Sequence, residues 1–206
     1  QPLAQTGVLS YVKWDKFMLW FKILVSCVPA AVVGLLFDEQ LEAMFYNYQT
    51  VSIALIVFGI AFIVIENRNA SQHSRINSLA DITFNTALLI GIFQLIAAIF
   101  PGTSRSGATI VGALLLGVSR TVAAEFTFFL AIPVMFGASL LKLVKFGFLF
   151  TTAELIILVI GMIVAFMVSV VVIKFLMGYI KKHDFKVFGW YRIVLGILVL
   201  AYFLMR

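Results

Sequence analysis

Charge is what this sequence has least of. Of its 206 residues only 12% are Asp, Glu, Lys or Arg, while 63% are apolar; a soluble domain carries roughly 25% charge and 45 to 50% apolar residues. That balance excludes a water-soluble globule, and with it disorder, collagen and a disulfide scaffold. Cysteine is nearly absent: Cys27 stands alone inside an apolar run, so one chain can build neither a disulfide nor a cysteine metal site. Histidine is almost as scarce, with only His73 and His183. The formal net charge of +6 would suggest nucleic acid in a soluble protein. In a membrane chain, basic residues instead record which loops face the cytoplasm, and no nucleic-acid partner is expected. The sequence opens at Gln1 without a basic n-region or a small-residue cleavage site, so no signal peptide is expected, and it reads as a fragment.

What is present is a series of long apolar runs. A spanning helix needs about 20 mostly apolar residues, and runs of that kind are Phe17 to Phe37, Val51 to Ile65, Ile82 to Phe100, Val122 to Leu141, Leu155 to Ile173 and Val187 to Met205. The expectation is an all-α, polytopic membrane bundle of about six spans, forming one integral membrane domain over residues 1–206. Pro29 and Pro133 fall inside runs and read as kinks. Between the third and fourth runs lies Pro101-Gly-Thr-Ser-Arg-Ser-Gly107, followed by an uncharged stretch from Ala108 to Val118. A helix over that stretch is only about 16 Å long, half the hydrocarbon thickness. It cannot cross alone.

The positive-inside rule orients the chain. With Lys181, Lys182 and Lys186 placed in the cytoplasm, alternation of the runs brings Arg68, Arg75 and Arg120 to the same side. Of the fifteen basic residues, only Lys142, Lys145 and Arg206 fall outside and Arg105 falls in the odd segment. Lys142 and Lys145 can snorkel from a helix end. Both ends of residues 82–118 then share a side, which predicts a re-entrant helix pair turning at Pro101 to Ser106.

Non-helical backbone at membrane depth survives only where protein or a wet cavity satisfies it. Thr103, Ser104, Ser106 and Thr109 offer hydroxyls there, Arg105 a permanently charged planar fork, and Gly102 and Gly107 close backbone approach. A helix starting near Ser106 aims its free N–H groups and positive dipole end into the same space. Together these favour an anion with several oxygens, such as phosphate or pyrophosphate. A solvated turn is the plainer reading of Ser-Arg-Ser in a soluble loop, but an intramembrane arginine is a functional-site candidate by default. Ala108 with Gly112, and Ala113 with Gly117, are small-x-x-x-small pairs that predict close helix packing. Other phosphate and serine motifs fail. Gly102 to Gly107 has P-loop spacing, but Ala108 and Thr109 stand where Lys and Ser or Thr are required. Ser119-Arg120 is followed by Phe126 where a membrane acid phosphatase needs its histidine, and the G-x-S-G of intramembrane proteases is broken by Arg105.

Pro101-Gly-Thr-Ser-Arg-Ser-Gly-Ala-Thr109 resembles the P-G-x-S-R-S-G-x-T signature of the bacterial undecaprenyl pyrophosphate phosphatase family, associated with bacitracin resistance. Leu116-Gly-Val-Ser-Arg120, Ala124-Glu-Phe126, Pro29-Ala with Gly34-Leu-Leu-Phe37, and Tyr191-Arg192 extend the resemblance along the chain. It implies a multi-pass hydrolase of the bacterial cytoplasmic membrane. That enzyme removes one phosphate from undecaprenyl pyrophosphate and returns the carrier lipid to peptidoglycan synthesis, with a site opening to the external face. It also implies membrane lipid as surroundings, a divalent cation, in all expectation Mg²⁺, and suggests a homodimer. By resemblance Arg105, Ser104 and Thr109 are the catalytic set, and Gly102, Thr103, Ser106 and Gly107 bind substrate. Gln94, Arg120 and Glu125 support them, although an Arg120–Glu125 pair is the plainer expectation for two of these. Arg192 divides the same way between a structural and a supporting role.

One departure stands beside the agreement. The family's first re-entrant region carries an E-x-x-x-E segment and a P-x-S-S-T-G-H segment, which supply the metal carboxylates. Nothing in this chain matches them, so no metal ligand is assigned here. Gln94 and Ala98 stand where the corresponding carboxylates would be in the second half. The resemblance therefore implies the C-terminal three-quarters of the enzyme, poorly active alone, with Gln1 close to the start of the second span. The alternative function is polyprenyl-phosphate binding or transport without hydrolysis, since broken helices at the midplane also mark transporters.

Overall fold

A computed structural model describes residues 14–70, 74–147 and 150–205. His73, Arg206 and the region around Gln1, on which some of the expectations above fall, lie outside the described residues. The apolar runs form seven α-helices: α1 (Trp14–Phe45), α2 (Tyr48–Ala70), α3 (Phe84–Ile99), α4 (Arg105–Leu115), α5 (Arg120–Phe146), α6 (Thr152–Ile180) and α7 (Lys186–Leu204). Among the described residues the one β feature is an isolated bridge, Ile76 to Val118. Five helices, α1, α2, α5, α6 and α7, are long and apolar enough to cross a membrane, which makes this a multi-pass membrane protein. The remaining apolar run becomes α3, whose 16 residues reach about 24 Å. Pro29 and Pro133 both sit within helices.

α3 and α4 form a hairpin. Thr83 caps α3 by accepting from the Thr86 amide, and the chain turns through Pro101 to Ser104. At the base, the amides of Arg75 and Ile76 donate to the Gly117 carbonyl at 2.8 and 3.1 Å, and the Ser119 amide donates to Ile76 at 2.9 Å. The segments entering and leaving the hairpin are thus stitched side by side. Gly117 was expected on a packed helix face; it lies instead just past α4 at φ +81, where the left-handed conformation costs glycine little. The other half of that pattern does serve packing, since Gly112 lies against the Phe93 ring of α3.

The tip of the hairpin packs beside the first turn of α2: Gly102 meets the Val51 carbonyl, and the Phe100 ring lies 5.0 Å from that of Phe45. Its base lies beside the last turns of α2, where Arg120 is ion-paired with Glu66. From Val51 to Glu66 along α2 is about 23 Å, less than the roughly 30 Å hydrocarbon core. The base also gathers basic residues. Lys22 donates to the Ala80 carbonyl at 3.2 Å, and the Phe62 ring brings Phe185, with Lys186 next to it, to the same end. α7 runs alongside α2 at close range, because Gly59 and Gly189 each leave no room for a side chain opposite. α6 is different. From Thr151 to Phe175 every residue is exposed, and among the described residues the buried contacts of this helix gather in its last turns, around Leu176, Met177 and Ile180.

Candidate anion site at the hairpin tip

The turn that joins α3 to α4 is held by its own side chains. Gly102 takes φ +91 and Ser104 takes φ +61, the one non-glycine residue with positive φ among the described residues. Ser104 compensates by capping α4: its Oγ accepts from the Gly107 amide at 3.3 Å and lies 3.3 Å from Ser106 Oγ. α4 therefore begins at Arg105, with its first amides and positive dipole end at the tip.

From the opposite side, α7 contributes Arg192. Its Nη1 donates to the Thr103 carbonyl at 3.5 Å, and its guanidinium lies 4.8 Å from the centre of the Phe62 ring, within cation–π range. That guanidinium occupies the place where a Gly107 side chain would stand, so any larger residue there would displace Arg192. Thr103 beneath it is wholly buried, and its Oγ1 has no partner among the described residues. Arg192 thus braces the backbone of the turn, a contact that both the structural and the supporting reading allow.

Arg105 opens onto a cavity of about 590 Å³ that it shares with Gln94, Ser106, Thr109, Glu125 and Thr127. Gln94 is almost completely buried, and its Nε2 donor has no hydrogen-bond partner among the described residues. Thr109 is also buried. Its hydroxyl reaches the carbonyls of Arg105 and Ser106 at 3.1 and 3.0 Å and accepts from Thr127 Oγ1 at 3.0 Å. That tie fastens the first turn of α4 to α5. Thr127 was not among the expected residues, and no local pattern marks it; only the packing of α5 against α4 brings it there.

Of the signature, Arg105, Ser106 and Thr109 line the cavity, whereas Gly102, Thr103, Ser104 and Gly107 build the turn and do not line it. Two further expectations need correction. Arg120 does not pair with Glu125, because Glu66, fully buried on α2, takes its guanidinium instead. Arg120 consequently sits at the hairpin base and is absent from the cavity wall. Glu125 does line the cavity and has no ion-pair partner among the described residues. No three His, Cys, Asp or Glu side chains cluster as a metal site among the described residues. A magnesium ion takes one or two carboxylates plus substrate oxygens and water. Glu125 is the carboxylate that the cavity wall offers to such an ion.

A family model described as "Bacitracin resistance protein BacA" matches residues 3–198. The chain is 72% identical over 195 residues to an undecaprenyl-diphosphatase of Desulfitobacterium hafniense, covering 95% of this chain and 70% of that protein. It is 70% identical over 194 residues to undecaprenyl-diphosphatase 1 of Clostridium acetobutylicum, covering 94% and 71%. An undecaprenyl-diphosphatase of Enterococcus faecalis is 65% identical over 191 residues, covering 93% and 69%. With identities this high across nearly the whole chain, and with the tip of its helical hairpin built from the family signature, the chain belongs to the bacitracin resistance protein BacA family.

Proposed function

We propose that the chain is a polyprenyl pyrophosphate phosphatase, hydrolysing undecaprenyl pyrophosphate to undecaprenyl phosphate and inorganic phosphate. The observation that carries this reading is Arg105 at the start of α4, facing a cavity with the unpartnered amide of Gln94, in a chain so similar to proteins named undecaprenyl-diphosphatase. In the reaction water attacks the terminal phosphorus, the anhydride P–O bond breaks, and the electron pair leaves with the lipid monophosphate. Charge grows on the transferring oxygens, so catalysis rests on positioning and on fixed positive groups. Arg105 supplies a bidentate fork for those oxygens, the α4 amides and dipole a second positive element, and Gln94 and Ser106 hydrogen bonds. Thr109 holds the first turn of α4 in place through Thr127. Ser104 serves as the cap that shapes the turn, which favours water over Ser104 as nucleophile.

Glu125 is the carboxylate available to take the proton from that water. A divalent cation, Mg²⁺ by resemblance, belongs to the reading as a charge neutraliser. Glu125 would be its ligand from the described residues, and no step here passes through it. The hairpin is read as re-entrant from the cytoplasmic face of the bacterial inner membrane, with the tip and its cavity toward the external side; the charge distribution supports that orientation. A homodimer is carried forward as the family's suggestion. Phosphate release from undecaprenyl pyrophosphate by the purified chain in detergent tests the function directly. Release that depends on Arg105 supports it, whereas tight binding of the lipid without release would favour transport.

A further inference from the structure

Two guanidinium groups meet the first turn of α4. Arg105 faces the cavity beside Glu125, whereas Arg192 does not line it. Arg192 stands on α7 between Gly189 and Gly196, the two glycines that pack against Gly59 and Ser52 of α2. Both helices are long and apolar enough to cross a membrane, so this charge is held within the spanning part of the bundle. Its Nη1, Nη2 and Cζ lie 2.5 to 3.0 Å from the point where a Gly107 Cβ would be. Among the described residues no carboxylate comes within ion-pair distance of Arg192 or Arg105. Close by, Thr103 Oγ1 and Gln94 Nε2 are buried and have no partner among the described residues.

Two arginines and the positive end of α4 stand against one carboxylate, Glu125, which leaves the tip with an excess of positive charge. In apolar surroundings that excess is costly until an anion neutralises it. Arg192 acts on the cavity from across the first turn of α4, over about 10 Å, the diameter of a helix with its side chains. At that range and an effective dielectric constant of about 20, each further negative charge on the ligand is worth about tenfold in affinity. Pyrophosphate carries more negative charge than phosphate, and a polyprenyl pyrophosphate more than either of its hydrolysis products.

We propose that Arg192 is a specificity-determining residue: its charge, acting across the first turn of α4 without touching the ligand, makes the hairpin tip select a diphosphate over a monophosphate. This rests on the polyprenyl pyrophosphate reading above and adds to it a reason for the products to leave, since each is less negative than the substrate. The contact with the Thr103 carbonyl keeps the guanidinium in place and braces the turn as well, and substitution separates the brace from the charge.

The test measures binding of inorganic pyrophosphate and inorganic phosphate to the whole chain in phosphatidylcholine nanodiscs, without added divalent cation, and reads the ratio of the two affinities. Arg192→Gln keeps an amide donor for the Thr103 carbonyl and removes the charge, so the preference for pyrophosphate should fall by about tenfold. Arg192→Lys keeps the charge and should hold the ratio near that of the parent chain, even where both affinities weaken. A brace alone would weaken both anions by one common factor. An unchanged ratio in Arg192→Gln therefore overturns the proposal, as does an equal fall of the ratio in Arg192→Lys. If Arg192→Gln does not fold, Arg192→Met takes its place, because an apolar side chain suits the packed surface between α2 and α7, and the same outcomes decide. Failure of the function itself looks different. The parent chain would then bind neither anion in an Arg105-dependent way, and the role given to Arg192 would fall with it.

Discussion

Arg120 gives its guanidinium to Glu66, 54 residues earlier in the chain, and leaves Glu125, on its own helix, to face the cavity. The pair clamps the base of the α3–α4 hairpin to the end of α2, next to the backbone stitching between Ile76 and Gly117. Glu66 is fully buried and the Arg120 side chain 35% exposed. Breaking such a pair from one side strands a buried charge, at a cost of up to about 3 kcal/mol once the exposure of Arg120 is discounted. Arg120→Met should therefore lower the denaturation midpoint in detergent. The double variant Glu66→Leu/Arg120→Met should recover most of the loss. A double variant as unstable as the single one would show that the clamp is not the source.

Arg105→Lys should reduce phosphate release from undecaprenyl pyrophosphate by about a hundredfold or more. A point charge cannot reproduce two parallel N–H···O bonds to the transferring group. Steady-state turnover of the variant beside the parent chain checks this, and near-normal hydrolysis would remove Arg105 from the role given to it.

Gly107→Ala would drive a methyl group into the Arg192 guanidinium. Arg192 must then leave the Thr103 carbonyl, so Gly107→Ala and Arg192→Ala should damage activity by similar amounts. In combination they should be clearly less than additive, because both act through one contact. Additive losses in a double-mutant cycle would mean that the two residues work independently.

Gln94 carries a buried donor without a partner among the described residues. Gln94→Leu should weaken inorganic pyrophosphate binding by about tenfold, the loss of one hydrogen bond to a charged acceptor. Gln94→Glu should weaken it further, since a carboxylate would face the anion. A Gln94→Glu variant that binds as well as Gln94→Leu would place the anion away from this wall.

Much of the site could be read without a structure. Arg105 stood out because a permanent charge among uncharged residues at membrane depth is costly, and its neighbours supply hydroxyls, glycines and a helix start. The brevity of the Ala108 to Val118 stretch already marked α4, 11 residues long, as too short to cross. Roles within the signature were less legible. Ser104 and Ser106 differ by two positions and look equivalent in the sequence, yet one caps a helix and the other lines the cavity, because a single φ of +61 at Ser104 turns it inward to the backbone. Thr127 and the Arg192–Gly107 contact have no local signal at all.

The amino-acid sequence by itself determined the membrane setting, the helices and the polar, hydroxyl-rich character of residues 101–109. All of these follow from hydropathy, helix length and charge along one continuous segment. Tertiary structure alone decided which charge meets which. Whether Arg120 joins Glu125 five residues on or Glu66 on another helix, and whether Arg192 reaches the turn, depends on how close distant segments come. Electrostatic and packing energies follow distance in space, and the path of the chain around the hairpin sets that distance.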